Sequence, residues 1–201
     1  MFCSALEIMM EALLVSAGVV ALAEIGDKTQ LLAFLLAARF KKPVPIIFGI
    51  LCATIVNHGL AGALGAWITS AVTPELMRWV LGASFIGMAV WTMIPDKIEE
   101  EETQVAKRFG VFGATLVTFF LAEMGDKTQI ATVAMAAHYP NALLVVIGTT
   151  LGMLIADVPA VFVGDKLAAK IPMKLVHSIA AAVFAVLGIA TLLGAGARLG
   201  F

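Results

Sequence analysis

Six apolar runs, at residues 9–38, 44–67, 76–94, 110–137, 142–163 and 173–195, set the terms for this chain. A helix needs about 20 mainly apolar residues to cross the hydrocarbon core of a bilayer, and each run meets or approaches that length. The 201 residues are 61% hydrophobic and 13% charged, where soluble domains carry about 45–50% and about 25%. A water-soluble globule has too little polar surface to cover so much apolar side chain. A soluble enzyme, a disordered chain and a nucleic-acid binder are therefore excluded. None of the runs alternates as a barrel strand does, so helices are the expected spanning element. The expected fold is an all-α polytopic membrane protein whose main partner is the lipid bilayer.

The breaks between runs are well marked. Arg39-Phe40-Lys41-Lys42-Pro43 closes the first, Thr73-Pro74-Glu75 the second, and Pro95 to Arg108 the third. His138 to Asn141 and Gly164 to Pro172 supply the last two. Near the N-terminus an apolar stretch within the first run reaches Ala21-Leu22-Ala23, like a signal peptide, but its flank carries Glu7 and Glu11 and no base, so it reads as a mature span. Cys3 and Cys52 form no CxxC pair, and neither a disulfide framework nor a thiolate metal cluster is indicated.

Loops one, three and five hold nine bases: Arg39, Lys41, Lys42, Lys97, Lys107, Arg108, Lys166, Lys170 and Lys174. The opposite side holds Arg78 and Arg198. Nine against two places those loops in the cytoplasm and both termini outside. Trp67, Trp79 and Trp91 fall near span ends, as interfacial anchors do. The acidic run Glu99 to Glu102 in loop three reads as a solvated linker.

The first and fourth runs share a motif. Leu22-Ala23-Glu24-Ile25-Gly26-Asp27-Lys28-Thr29-Gln30 recurs 99 residues later as Leu121-Ala122-Glu123-Met124-Gly125-Asp126-Lys127-Thr128-Gln129, with eight of nine positions identical. The register continues through Ala37-Ala38 and Ala136-Ala137, Gly49 and Gly148, and Gly65 and Gly164. The expected organisation is a first three-helix repeat at 1–95, a cytoplasmic acidic linker at 96–109, and a second three-helix repeat at 110–201. An odd number of spans per repeat makes the second half enter from the opposite side, so the six transmembrane helices form two inverted repeats. Many secondary transporters share that plan, with their site at the midplane between the repeats.

Glu24 and Glu123 lie near the middle of their runs. A charge at that depth costs at least about 2.5–3.5 kcal/mol, which points to a functional use. On a continuous helix Glu24 and Asp27 share one face with Gln30, as do Glu123, Asp126 and Gln129. Together the copies offer four carboxylates and two amide oxygens, hard donors suited to Ca²⁺, Mn²⁺ or Mg²⁺. Thr29 and Thr128 add hydroxyls, although threonines in membrane helices often bond their own backbone. Gly26 and Gly125 allow either local unwinding or a close helix contact. Lys28 and Lys127 stand four residues after Glu24 and Glu123, the spacing of an intrahelical ion pair. Four acids and two bases leave −2, the charge that one divalent cation neutralises. Without the cation, hydrocarbon favours protonated carboxyls, so protons and metal compete for the same groups.

Three further polar residues lie inside spans: Asn57, His58 and Asp157. The 99-residue offset sets His58 opposite Asp157. Asp157 reads as cavity-lining; Asn57 is either a ligand or an interhelical hydrogen bond; His58, a lone histidine, reads as structural ahead of the alternative, a proton relay.

The paired Glu-x-Gly-Asp-Lys-Thr motifs, and the stretch from Gly148 to Ala160, resemble a group of small membrane cation exchangers. That group comprises the Golgi manganese/calcium transporters of eukaryotes and bacterial relatives, some of which export manganese. The resemblance implies exchange of Mn²⁺ or Ca²⁺ for H⁺, with Glu24, Asp27, Glu123 and Asp126 as the metal site. It also implies a bacterial inner membrane, and no cofactor besides the transported ions. The first alternative is a proton-coupled exporter of a small organic solute such as an amino acid. A passive channel or a non-transporting scaffold is the second. No nucleophile–base constellation appears, so an enzyme is not expected.

Overall fold

A computed structural model of the chain describes residues 2–94, 109–163 and 173–194. Most of the acidic linker (96–108), the fifth loop from Gly164 to Pro172 and the last seven residues lie outside the described residues, and with them Lys97, Glu99 to Glu102, Lys107, Arg108 and Arg198. The described residues form eight helices and no strand: α1 (Phe2–Glu24), α2 (Lys28–Phe40), α3 (Pro43–Ala71), α4 (Pro74–Thr92), α5 (Gly110–Glu123), α6 (Lys127–His138), α7 (Ala142–Val163) and α8 (Met173–Leu192). Pro43 and Pro74 begin α3 and α4 at positions where the missing N–H costs nothing. Leu6–Glu24, Pro43–Ala71 and Ala142–Phe162 are each long and apolar enough to cross a membrane.

The first and fourth runs are not continuous helices: of the two roles open to Gly26 and Gly125, the structure takes local unwinding. Each is two short helices joined by a turn, between Glu24 and Lys28 and between Glu123 and Lys127. The cause is local: Gly26 has φ +85° and Gly125 φ +75°, a left-handed conformation that residues with a Cβ avoid and that cannot continue a right-handed helix. Gln30 Oε1 accepts the Gly26 N–H and Gln129 Oε1 accepts the Gly125 N–H, both at 2.8 Å. Each freed backbone donor is thus satisfied within its own turn, as a hydrocarbon surrounding requires.

Burial runs opposite to that of a soluble protein. Leu14, Phe48, Leu60, Ile155, Phe162 and Val186 are exposed, while Glu24, Asp27, His58, Glu123, Lys127 and Asp157 are completely buried. Water would reverse both groups; hydrocarbon around the bundle accounts for them.

The helices pack reciprocally. α1 and α2 lie on α7, α5 and α6 lie on α3, α3 touches α7, and α4 pairs with α8. Single residues repeat the exchange. A Cβ on Gly49 would meet Thr115 and the Phe112 carbonyl, and one on Gly148 would meet Ser16 and the Leu13 carbonyl. Gly148 and Thr115 are the positions 99 residues after Gly49 and Ser16. Small residues at equivalent places let the backbones of α3 and α5, and of α7 and α1, approach closely.

Candidate functional site

The acidic residues at both breaks are buried within the bundle. Glu24 and Glu123 are the last residues of α1 and α5, while Asp27 and Asp126 stand at the N-caps of α2 and α6 with extended backbone. Neither aspartate caps its own helix with its side chain. Both carboxylates sit at a helix N-terminus, whose unpaired N–H groups favour negative charge. The i, i+3 face expected of a continuous helix does not exist; a pair of carboxylates flanking each turn replaces it.

The turns bring the copies together. Carboxylate oxygens of Glu24, Asp27 and Asp126 all lie within 4.8 Å of one another, and all three residues are buried. Glu123 stands outside this trio. Its Oε2 is 3.7 Å from His58 Nε2 and accepts a hydrogen bond from the Thr128 hydroxyl at 3.2 Å. The Thr29 hydroxyl donates to Glu24 Oε2, and that of Thr128 also reaches Asp126 Oδ2 at 3.4 Å. Glu24 Oε1 and Glu123 Oε1 are buried without a hydrogen-bond partner among the described residues.

The lysines do not form the intrahelical pairs that their spacing allows. Lys127 pairs with Asp27, and Lys28 Nζ lies 3.7 Å from Asp126 Oδ1. Each ion pair therefore crosses from one copy of the motif to the other. The reason is the break itself: with α1 ending at Glu24, the four-residue spacing no longer stacks Lys28 over the glutamate. The two pairs differ in depth, since the Lys127 side chain is fully buried and that of Lys28 is 22% exposed.

Gln30 and Gln129 spend an amide oxygen on their own turns, and Gln30 Nε2 also donates to the Ala156 carbonyl at 3.1 Å. They brace the breaks. Asn57 Nδ2 donates to the Phe120 carbonyl at 3.1 Å and so joins α3 to α5. Asp157 is buried in α7, its two carboxylate oxygens without hydrogen bonds among the described residues.

His58 is the residue that sequence reasoning undervalued. It was legible only through the 99-residue offset, which sets it against Asp157; its contact with Glu123 depends on tertiary packing that no local pattern reports.

Comparison with known proteins bears on what a buried, crossed set of carboxylates is for. A profile of the family described as "Divalent cation/proton antiporter GDT1" matches residues 12–100 and 111–198. A Vibrio cholerae protein named "Putative manganese exporter" is 49% identical over 186 residues, covering 92% of each chain. "GDT1-like protein 4" of Oryza sativa subsp. indica is 31% identical over 87% of this chain and 70% of its own. "GDT1-like protein sll0615" of Synechocystis is 29% identical over 82% of this chain and 88% of its own. No solved structure matches.

Proposed function

The chain belongs to the GDT1 family of divalent cation/proton antiporters, and from that premise we propose that it exports Mn²⁺ across a bacterial inner membrane, with Ca²⁺ as the second ion its oxygen ligands accept. The observation that carries the proposal is the trio of Glu24, Asp27 and Asp126, drawn from both motifs into a space of 4.8 Å inside an apolar bundle. Glu123 completes the site once its carboxylate turns from His58. Carboxylates are the hard donors that Mn²⁺ and Ca²⁺ take. Three acids within this distance repel each other unless a cation or protons intervene.

The proposed architecture is six spans in two inverted three-helix repeats, with broken first and fourth spans meeting at the midplane. The reciprocal packing of α1 on α7 and of α5 on α3, and the equivalent contacts at Gly49 and Gly148, support it. The excess of Lys and Arg in loops one, three and five supports termini outside the cytoplasm.

In the proposed cycle the ionised site takes Mn²⁺ from the cytoplasm, and one repeat rocks against the other. Protons then displace the metal on the outside, and the protonated site returns. Charge balance gives two protons per Mn²⁺. The test is Mn²⁺ transport in proteoliposomes with Glu24→Gln and Glu123→Gln. Both are expected to abolish pH-driven transport; wild-type flux in either removes that residue from the site.

A further inference from the structure

Lys127 is fully buried, and its side chain reaches out of the second motif to pair with Asp27 of the first. Asp27 is at the same time one of the three carboxylates within 4.8 Å of one another. The ammonium therefore stands where a transported cation needs negative charge. An ammonium and a divalent ion held side by side in a water-poor interior repel strongly, so the two do not share Asp27 comfortably. The equivalent contact differs: the Lys28 side chain is 22% exposed and its Nζ lies 3.7 Å from Asp126, so that ammonium is less enclosed than the one on Asp27.

We propose that the Lys127 ammonium is a tethered stand-in for the cargo, covering Asp27 in the metal-free carrier and moving off it when the divalent cation binds. This rests on the cation-exchange reading above and adds a specific role to it. When metal leaves, protons take the remaining carboxylates while the lysine re-covers Asp27, so the metal-free site crosses the bilayer with its negative charge balanced there, as hydrocarbon demands. When metal arrives it must displace the lysine. Its apparent affinity is then lowered by the fraction of carriers in which Asp27 is already occupied. Lys127 acts through Asp27 and is a positioning residue, not a ligand.

The experiment uses the full chain in proteoliposomes and nanodiscs, with Mn²⁺ as the probe. Lys127→Met keeps an unbranched side chain of similar bulk, one atom shorter, and removes its charge. The Mn²⁺ concentration that gives half-maximal protection against thermal unfolding is expected to fall about tenfold, and by less in Lys28→Met. Net exchange of Mn²⁺ against a pH gradient is expected to fall about tenfold relative to Mn²⁺/Mn²⁺ exchange, because the second mode never requires the metal-free, protonated carrier to return. If Lys127→Met does not fold, Lys127→Gln, which retains a donor for Asp27, carries the same comparison. Unchanged or weaker affinity overturns the proposal, as does net exchange that keeps pace with Mn²⁺/Mn²⁺ exchange. Failure of the cation-exchange reading is distinguishable, because wild-type protein would then show neither Mn²⁺ protection nor Mn²⁺ flux.

Discussion

His58 Nε2 stands 3.7 Å from Glu123 Oε2, and the residue 99 positions after His58 is Asp157. The same place in the two halves thus holds a base in one and an acid in the other. Near-identical motifs are set in unequal surroundings, and the carboxylates respond: Glu24 joins the trio with both aspartates, while Glu123 turns to the imidazole.

Asp157 is the acid that the fold supports least, being buried with no hydrogen bond to either oxygen among the described residues. Replacing a strained functional acid by its neutral isostere commonly raises stability at the expense of activity. Asp157→Asn is expected to raise the melting temperature by about 2–4 °C, which corresponds to about 1 kcal/mol, and to slow Mn²⁺ transport. A thermal-shift series beside a flux assay checks both.

The two aspartates of the trio are expected to separate in stability but not in function. Asp27→Asn and Asp126→Asn each remove a carboxylate ligand, and each is expected to weaken Mn²⁺ binding by at least about tenfold. Asp27→Asn also strips the fully buried Lys127 of that partner, a change that costs about 3–5 kcal/mol when a buried pair is broken. Lys28 is 22% exposed, so Asp126→Asn is expected to cost far less. Melting temperatures of the two variants, measured without metal, test the difference.

Close helix approach predicts a contrast between glycines. A Cβ on Gly148 would lie 2.5 Å from the Leu13 carbonyl oxygen, and backbone cannot swing away. Gly148→Ala is therefore expected to destabilise by about 1–3 kcal/mol. Gly59, also helical, has nothing within 4 Å of its added Cβ. Gly59→Ala is expected to be neutral or stabilising by up to about 1 kcal/mol through helix propensity. Thermal unfolding in detergent decides between them.

Competition between protons and metal fixes the sign of the pH dependence. Metal binds the deprotonated carboxylates, so acidification weakens apparent Mn²⁺ affinity, by up to about tenfold per pH unit for each proton displaced. The half-maximal Mn²⁺ concentration is expected to rise as the pH is lowered from 8 to 6. A pH-independent affinity would contradict exchange at a shared site.

Much of this was legible in the sequence, because hydrocarbon leaves few options. Apolar length, Pro-marked breaks and the 99-residue offset led to the helical membrane fold, and the depth of Glu24 and Glu123 singled out the motif. The breaks at Gly26 and Gly125 were not legible: a glycine in an apolar run serves equally as a hinge or as a contact point, and only φ values of +85° and +75° decide. Crossed pairing of the lysines was likewise hidden. A four-residue spacing advertises a local pair, whereas the partners of Lys28 and Lys127 lie in the opposite motif. Tertiary packing chose them.

The central claim is that acidic residues from both motifs hold one divalent ion between the two breaks. The measurement that tests it most directly is an anomalous-difference map from crystals grown with Mn²⁺, collected on both sides of the manganese absorption edge. The account predicts a single strong peak bounded by Glu24, Asp27, Glu123 and Asp126, with Lys127 displaced from Asp27. A peak at any other place, or none at Mn²⁺ concentrations that saturate transport, would contradict it.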